Sequence, residues 1–402
     1  MKLFRRHIAP MMFVALLLTS LISSCQRKPL YLAPHGNVSL GTASLELELD
    51  MLWGVNWNGQ LQYPWNDAIH GKLGYTEPQN VRTIIYRLDE NGERQSVPVD
   101  MHFDYNQKDK RVNLATNETY DLVIHSDGEH VGVTSVIMQD YTNGYGYETN
   151  IAVTNGGQKT VRSASRHDYE YNQPDQIFGT LVSDRYISND PDDYIMMVDE
   201  DGTISWVDTI QATLLPYTLI YVCQIIVTNN RDIDGNPIID RANKVSITGM
   251  ASSVDLNTRR TGTTLAAVST DYDDIKERIA DRLLTLPDGT QDTADIMAAR
   301  LQTWGLPNIV PIVEVTRGDG IEELDSTYVL IYPTLGNGSS IQPLQHNVTE
   351  QMKQRPGGGI ITIVIDATKE IPDSLIYLPT TGGGFDATVK DWDNQVNTDL
   401  DI

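Results

Sequence analysis

Only two residues of the chain carry a thiol, Cys25 and Cys223, and only Cys25 stands where chemistry would use it. It follows Ile22-Ser23-Ser24, small residues placed as in the lipobox that precedes the acylated cysteine of bacterial lipoproteins, although Leu is commoner than Ile at the first position. Upstream lie Lys2, Arg5 and Arg6 with no acid, then an apolar run from Met11 to Ile22, the layout of an export signal. As a helix that run reaches only about 18 Å at ~1.5 Å per residue, short of a hydrocarbon core of about 30 Å. The expectation is cleavage before Cys25 and lipid on its sulfur, with residues 1–24 discarded. Two or more acyl chains give lasting attachment where one binds reversibly. Cys223, in the apolar run Leu214 to Val227, reads as a buried small hydrophobe, and once Cys25 is acylated no internal disulfide is possible.

The other reactive types lack catalytic spacing. There is no His-Glu-x-x-His, no Gly-x-Ser-x-Gly elbow and no Gly-Lys-Ser/Thr phosphate loop. Gly357-Gly358-Gly359 and Gly382-Gly383-Gly384 lack the lysine of a phosphate cradle and read as turns or linkers. Asn230-Arg-Asp232-Ile-Asp234-Gly235 resembles the start of a calcium loop, but Arg241 occupies the twelfth position, where a bidentate Glu should close the cage; a hairpin turn is the better reading. Asp190, Asp192, Asp193, Asp199, Glu200 and Asp201 read as a solvated acidic loop, and the eight histidines have no zinc spacing. No cofactor, metal site or catalytic residue is expected. A hydrolase reading rests only on the many carboxylates.

The net charge of −24 becomes −27 without Lys2, Arg5 and Arg6, which opposes nucleic acid as a partner.

The elements that must carry these residues are strands. Leu45, Leu47, Leu49, Met51 and Trp53 alternate with Glu46, Glu48 and Asp50, the pattern of a half-buried strand. Period-2 or β-branched runs recur at residues 81–88, 119–124, 131–138, 204–215, 219–227, 244–250, 310–315, 328–332 and 360–366. Between them stand Asn91-Gly92, Asp127-Gly128, Asp201-Gly202, Asp234-Gly235 and Gly336-Asn337-Gly338. Many short strands joined by hairpin turns indicate an all-β sandwich architecture. Tyr272 to Leu284, with Ile275, Ile279 and Leu283 at spacing four, reads as a helix; Ala294 to Trp304 fits either helix or strand. The polar, patternless run Arg162 to Pro174 suggests a domain break near 168, giving units 25–168 and 169–402.

Several segments resemble the fimbrillin superfamily of Bacteroidales lipoproteins, which supplies stalk, tip and anchor subunits of type V pili, and in particular a less characterised branch of it. Cys25-Gln-Arg-Lys-Pro-Leu-Tyr is similar to the mature start of that branch, and Thr119-Tyr-Asp-Leu-Val-Ile-His to the strand closing its N-terminal domain. Val245-Ser-Ile-Thr-Gly-Met-Ala-Ser-Ser-Val and the tail Gly384-Phe385-Asp386 through Trp392 match segments of its C-terminal domain. The resemblance implies two tandem transthyretin-like β-sandwich domains and assembly by strand exchange. In that scheme a trypsin-like protease removes the first strand of a stalk subunit, and a neighbour's C-terminal strand fills the groove.

Val396, Thr398, Leu400 and Ile402 alternate in register, which suits either a donor strand or an ordinary edge strand closing its own sheet. Between Lys28 and Lys72 there is no Lys or Arg, so such a protease finds no site just past the Leu45 to Trp53 strand. That favours a non-enzymatic, lipid-retaining fimbrial subunit of the outer membrane, surface-exposed and anchor-like or adhesive. Its expected partners are the membrane, other fimbrial subunits, and host or microbial surface ligands. The alternative is a glycan-binding surface lipoprotein using Trp53, Trp57, Tyr63 and Trp65 or the Tyr141 to Tyr147 loop, although Trp at period-2 spacing is usually core.

Overall fold

The structure, a computed structural model, describes residues 40–51, 60–95, 98–107, 110–127, 134–136, 146–149, 153–154, 157–163, 166–198, 202–270, 272–310 and 326–376. It is an all-β protein of several sheets, with only short helical turns among the described residues.

The chain opens with β1 (Thr42–Met51), β2 (Asn80–Arg87), β3 (Val99–Asp104), β4 (Arg111–Ala115) and β5 (Glu118–Asp127). Short strands follow: β6 (Thr134–Val136), β7 (Gly146–Thr149), β8 (Val153–Thr154), β9 (Gly157–Gln158), β10 (Thr160–Ser163) and β11 (Arg166–Tyr171). Next come β12 (Phe178–Ile187), β13 (Ile195–Val198), β14 (Ile204–Pro216), β15 (Leu219–Thr228), β16 (Ile239–Ala251), β17 (Ser253–Asp255) and β18 (Leu265–Ser269). The last are β19 (Ile275–Thr285), β20 (Gln291–Thr303), β21 (Tyr328–Leu335), β22 (Leu344–Asn347) and β23 (Gly359–Asp366). Of the helical turns, α1 (Asp67–His70) and α2 (Thr349–Lys353) matter below.

One sheet runs β3-β2-β5-β12-β14-β1-β4, with β13 added beside β14. Alternate residues of its strands, including Leu45, Val81, Phe103, Leu114, Leu122, Phe178 and Leu214, share one buried cluster, so the sheet folds over a single core. A second core lies between the sheets β19-β20-β15-β23 and β10-β11-β18-β16-β21-β22. Its side chains include Tyr221, Ile225, Ile247, Met297, Leu301, Val329 and Ile363. Every residue of β15 is buried, which is why 219–227 reads as a continuous apolar run: β20 and β23 flank it and both its faces are covered.

The strands around residue 168 are divided between the two cores. β10 and β11 belong to the second sandwich, β12, β13 and β14 pair within the first sheet, and the chain returns to the second core through Tyr217 and Thr218. The polar run that suggested a linker contains β11. Its Glu170, almost wholly buried, is matched by Lys244 at 3.1 Å and its Tyr171 enters the second core, so polarity there reflects paired charge within a strand. Tyr272 to Leu284 is likewise no helix but mostly β19, paired to β20. Spacing four fits a strand face as well as a helix face, and two register shifts in β19 leave Leu283 exposed while Leu284 is buried. Ala294 to Trp304 falls largely in β20.

Cys223 is wholly buried, as its setting predicts, and burial pushes its thiol up to about 12.

Candidate functional site

β1 is not an edge strand. It lies between β14, parallel to it from Ser44↔Val207 to Met51↔Leu214, and β4, antiparallel from Thr42↔Ala115 to Glu46↔Arg111. Alternation places Ala43, Leu45 and Leu47 in the core, each under 5 % exposed, and turns Glu48 to solvent. Outward polar groups tie β1 to its neighbours. Ser44 donates to the Asn113 side chain at 2.6 Å, and Gln211 donates to Glu48 at 3.3 Å. The residues leading into β1 are held too: Leu40 N–H donates to Asn189 at 3.0 Å, and the Thr116 amide and hydroxyl donate to the Gly41 and Leu40 carbonyls.

Residues 60–75 form a strap across the outer face of β15, β20 and β19. Tyr63 is buried there with Val222, Ile226, Leu284, Ile296 and Ala298, and Leu61, Trp65 and Leu73 pack around them. Gln62 fastens the strap: its backbone N–H donates to the Gln224 side chain at 2.6 Å. Its side-chain amide donates to the Thr285 carbonyl at 2.7 Å and accepts the Thr285 N–H at 2.6 Å, copying one rung of a strand ladder on the edge of β19. Tyr63 donates its hydroxyl to Glu277 O at 3.2 Å; burial, with the Glu277 charge adding, pushes that phenol up to about 12. Trp65 lies against His70 of α1 with Lys276 5.3 Å from its ring centre. Tyr63, buried, and Trp65, partly buried, are therefore packing residues of the strap.

Beneath β19 lies a charge network that the sequence did not announce. Asp295, with a side chain only 2 % exposed, accepts from Arg231 at 2.7 and 3.0 Å, Arg278 at 2.7 Å, Asn230 at 2.8 Å and the Asp281 N–H at 3.0 Å. Burial alone would raise its carboxyl. The donors, Arg231 first, outweigh that and hold it at about 2. Asn230, read as the opening of a calcium-like loop, instead turns inward, bonding Asp295 and both backbone groups of Ile239. The Asp232 carboxylate accepts the Asp234 and Asn236 amides, and Gly235 has φ +84°, so the segment is a tight turn with its acceptor turned onto its own backbone; the strands it joins, β15 and β16, lie in different sheets, so it is a crossing turn and not the hairpin that the sequence suggests. No metal-holding cluster occurs among the described residues.

Asp190 caps a short turn by accepting the Asp192 amide at 3.0 Å. Gly358, at φ +97°, makes the turn into β23; a Cβ there would stand 2.6 Å from the Ile220 carbonyl oxygen, so close approach of backbone, not phosphate binding, accounts for that glycine cluster. Cys25, Trp53, Trp57, most of the Tyr141 to Tyr147 loop, Gly382 to Gly384 and the alternating tail Val396, Thr398, Leu400 and Ile402 lie outside the described residues. No helix among the described residues is long and apolar enough to cross a membrane.

No protein-family model matches the chain, and no curated protein does. Among solved structures, the chain is similar to a candidate adhesin from Bacteroides ovatus, at TM-score 0.42 and 12% identity over 81% of this chain and 93% of that one. It is also similar to the fimbrial anchor protein Mfa2 of Porphyromonas gingivalis, at TM-score 0.35 and 8% identity over 80% and 91%. A third likeness is to the tip fimbrial protein Mfa3 of the same organism, at TM-score 0.27 and 8% identity over 75% and 81%.

Proposed function

We propose that this chain is a lipid-anchored, surface-exposed subunit of a fimbrial or adhesive assembly, one that keeps its first strand and remains tied to the outer membrane through Cys25. The observation that carries the reading is the seating of β1. It is an inner strand of the first sheet, held between β14 and the edge strand β4 with Leu45 and Leu47 inside, and residues 29–71, which span β1 and the start of the strap, contain no Lys or Arg for a trypsin-like protease. A subunit with an intact first strand keeps its own groove filled, so polymerisation into that groove is closed to it and the lipid stays on the working protein. The two sandwiches are the transthyretin-like pair that the sequence resemblance implies. The alternating tail Val396, Thr398, Leu400 and Ile402 pairs with a neighbouring subunit, where backbone hydrogen bonds supply affinity and alternate side chains fill pockets.

Two variants test the reading in cells. Cys25→Ser releases the protein from the membrane fraction, and deletion of residues 393–402 abolishes co-purification of fimbrial subunits while leaving membrane attachment intact. A Cys25→Ser protein that stays membrane-bound removes the lipid reading; a tail deletion that still captures its partners removes the strand-pairing part.

A further inference from the structure

We propose that the first sheet acts as a tension clamp between the lipid and the second sandwich, an inference that rests on the lipid attachment proposed above. The carrying observation is strand direction. Tension from a lipid on Cys25 reaches β1 at its N-terminal end, next to Leu40 and Gly41. It leaves at the C-terminal end of β14, which runs through Tyr217 and Thr218 directly into β15, at the centre of the second core. Because β1 and β14 are parallel, those two points lie at opposite ends of the pair. The load therefore runs along the strands and strains all the bonds from Ser44↔Val207 to Met51↔Leu214 together. A load entering and leaving at one end would open the same bonds singly. Each contributes little net on its own, so resistance comes from their having to fail in one event.

Both ends of this path are reinforced. At the entrance are the Asn189 and Thr116 bonds to Leu40 and Gly41. At the exit Tyr217 donates its hydroxyl to Leu256 O at 3.1 Å, and the Thr218 hydroxyl donates to Asp175 O while accepting the Ile177 N–H, both at 2.8 Å. The Thr218 carbonyl also accepts the Tyr75 hydroxyl at 2.8 Å. The strap gives an independent second brake. Residues 60–75, which follow β1 along the chain, are fastened to the second sandwich by Gln62 and Tyr63, so β1 cannot be drawn fully out toward its N-terminus without pulling that segment off β15 and β19.

Single-molecule pulling on the chain 26–402 tests this. One set of handles loads the N-terminus against the C-terminus; the other loads the N-terminus against Thr203→Cys, an exposed position just before β14. Cys223, buried, stays unlabelled. The expected result is a first rupture force several-fold higher in the end-to-end geometry, reduced by Gln62→Ala in that geometry only. Equal forces in the two geometries, or rupture of the second sandwich before β1 leaves under end-to-end load, overturn the clamp. The lipid reading is judged separately by the mass of the native N-terminus, so failure of one is distinguishable from failure of the other.

Discussion

Truncating Leu45 to Ala should cost the first sheet about as much as any single change in its core. The side chain is 1 % exposed, and its backbone pairs with Val112 on one side and Asp208 on the other, so strands on both flanks hold the space it fills. Transfer of the lost methylenes and the cavity left behind together cost about 2–5 kcal/mol in a site that cannot collapse. A strand held between two neighbours belongs at the upper half of that range. Glu48→Ala, one turn of the pleat away on the solvent face, should fall within about 0.5 kcal/mol of wild type. The assay is urea unfolding followed by tryptophan fluorescence and far-UV circular dichroism, comparing midpoints at constant slope. Equal, small shifts for Leu45→Ala and Glu48→Ala would refute the placement of β1 in the core, and with it the argument that the protein keeps this strand.

Further predictions concern the rest of the chain. Asp295 is held at about 2, below its unfolded value of about 3.9, so its contribution is fully present above that unfolded value and is lost as pH falls from about 4 through 2; Asp295→Asn should flatten the acid limb of a stability-against-pH curve. Asp295→Ala should be worse at neutral pH, by about 3–5 kcal/mol, because Arg231 and Arg278 lose their buried partner; a smaller loss by thermal unfolding would mean solvent replaces it. Gln62→Ala should raise amide hydrogen exchange across residues 60–75 while leaving β1 protected, and unchanged exchange would show that packing of Tyr63 alone secures the strap. Native protein should show no Cys223 alkylation at pH 8, with labelling only after unfolding.

Much of the fold is legible in sequence because alternation and burial coincide. Leu45 and Leu47 against Glu46 and Glu48, or the unbroken apolar run of β15, have one consistent reading. β19 misleads for a definable reason: its apolar residues recur at an even spacing shared by helix and strand, and its two register shifts send Leu283 outward and Leu284 inward. The polar run Arg162 to Pro174 hides a strand because ion pairing of the buried Glu170 with Lys244 makes β11 look like a linker. The strap carries a signal in Leu61, Tyr63 and Trp65, alternating apolar residues interrupted by Pro64, but only the structure shows which sheet they cover. The Asp295 network has no local signal: its members come from residues 230–231, 278–281 and 295, and a strand pairing brings them together.

The proposed retention of the first strand and the proposed lipid on Cys25 meet in a single observable, the intact mass of the N-terminal peptide of the protein isolated from its native cells. The account predicts a peptide beginning at Cys25 and carrying acyl mass. A peptide beginning beyond residue 50, without lipid, would contradict it.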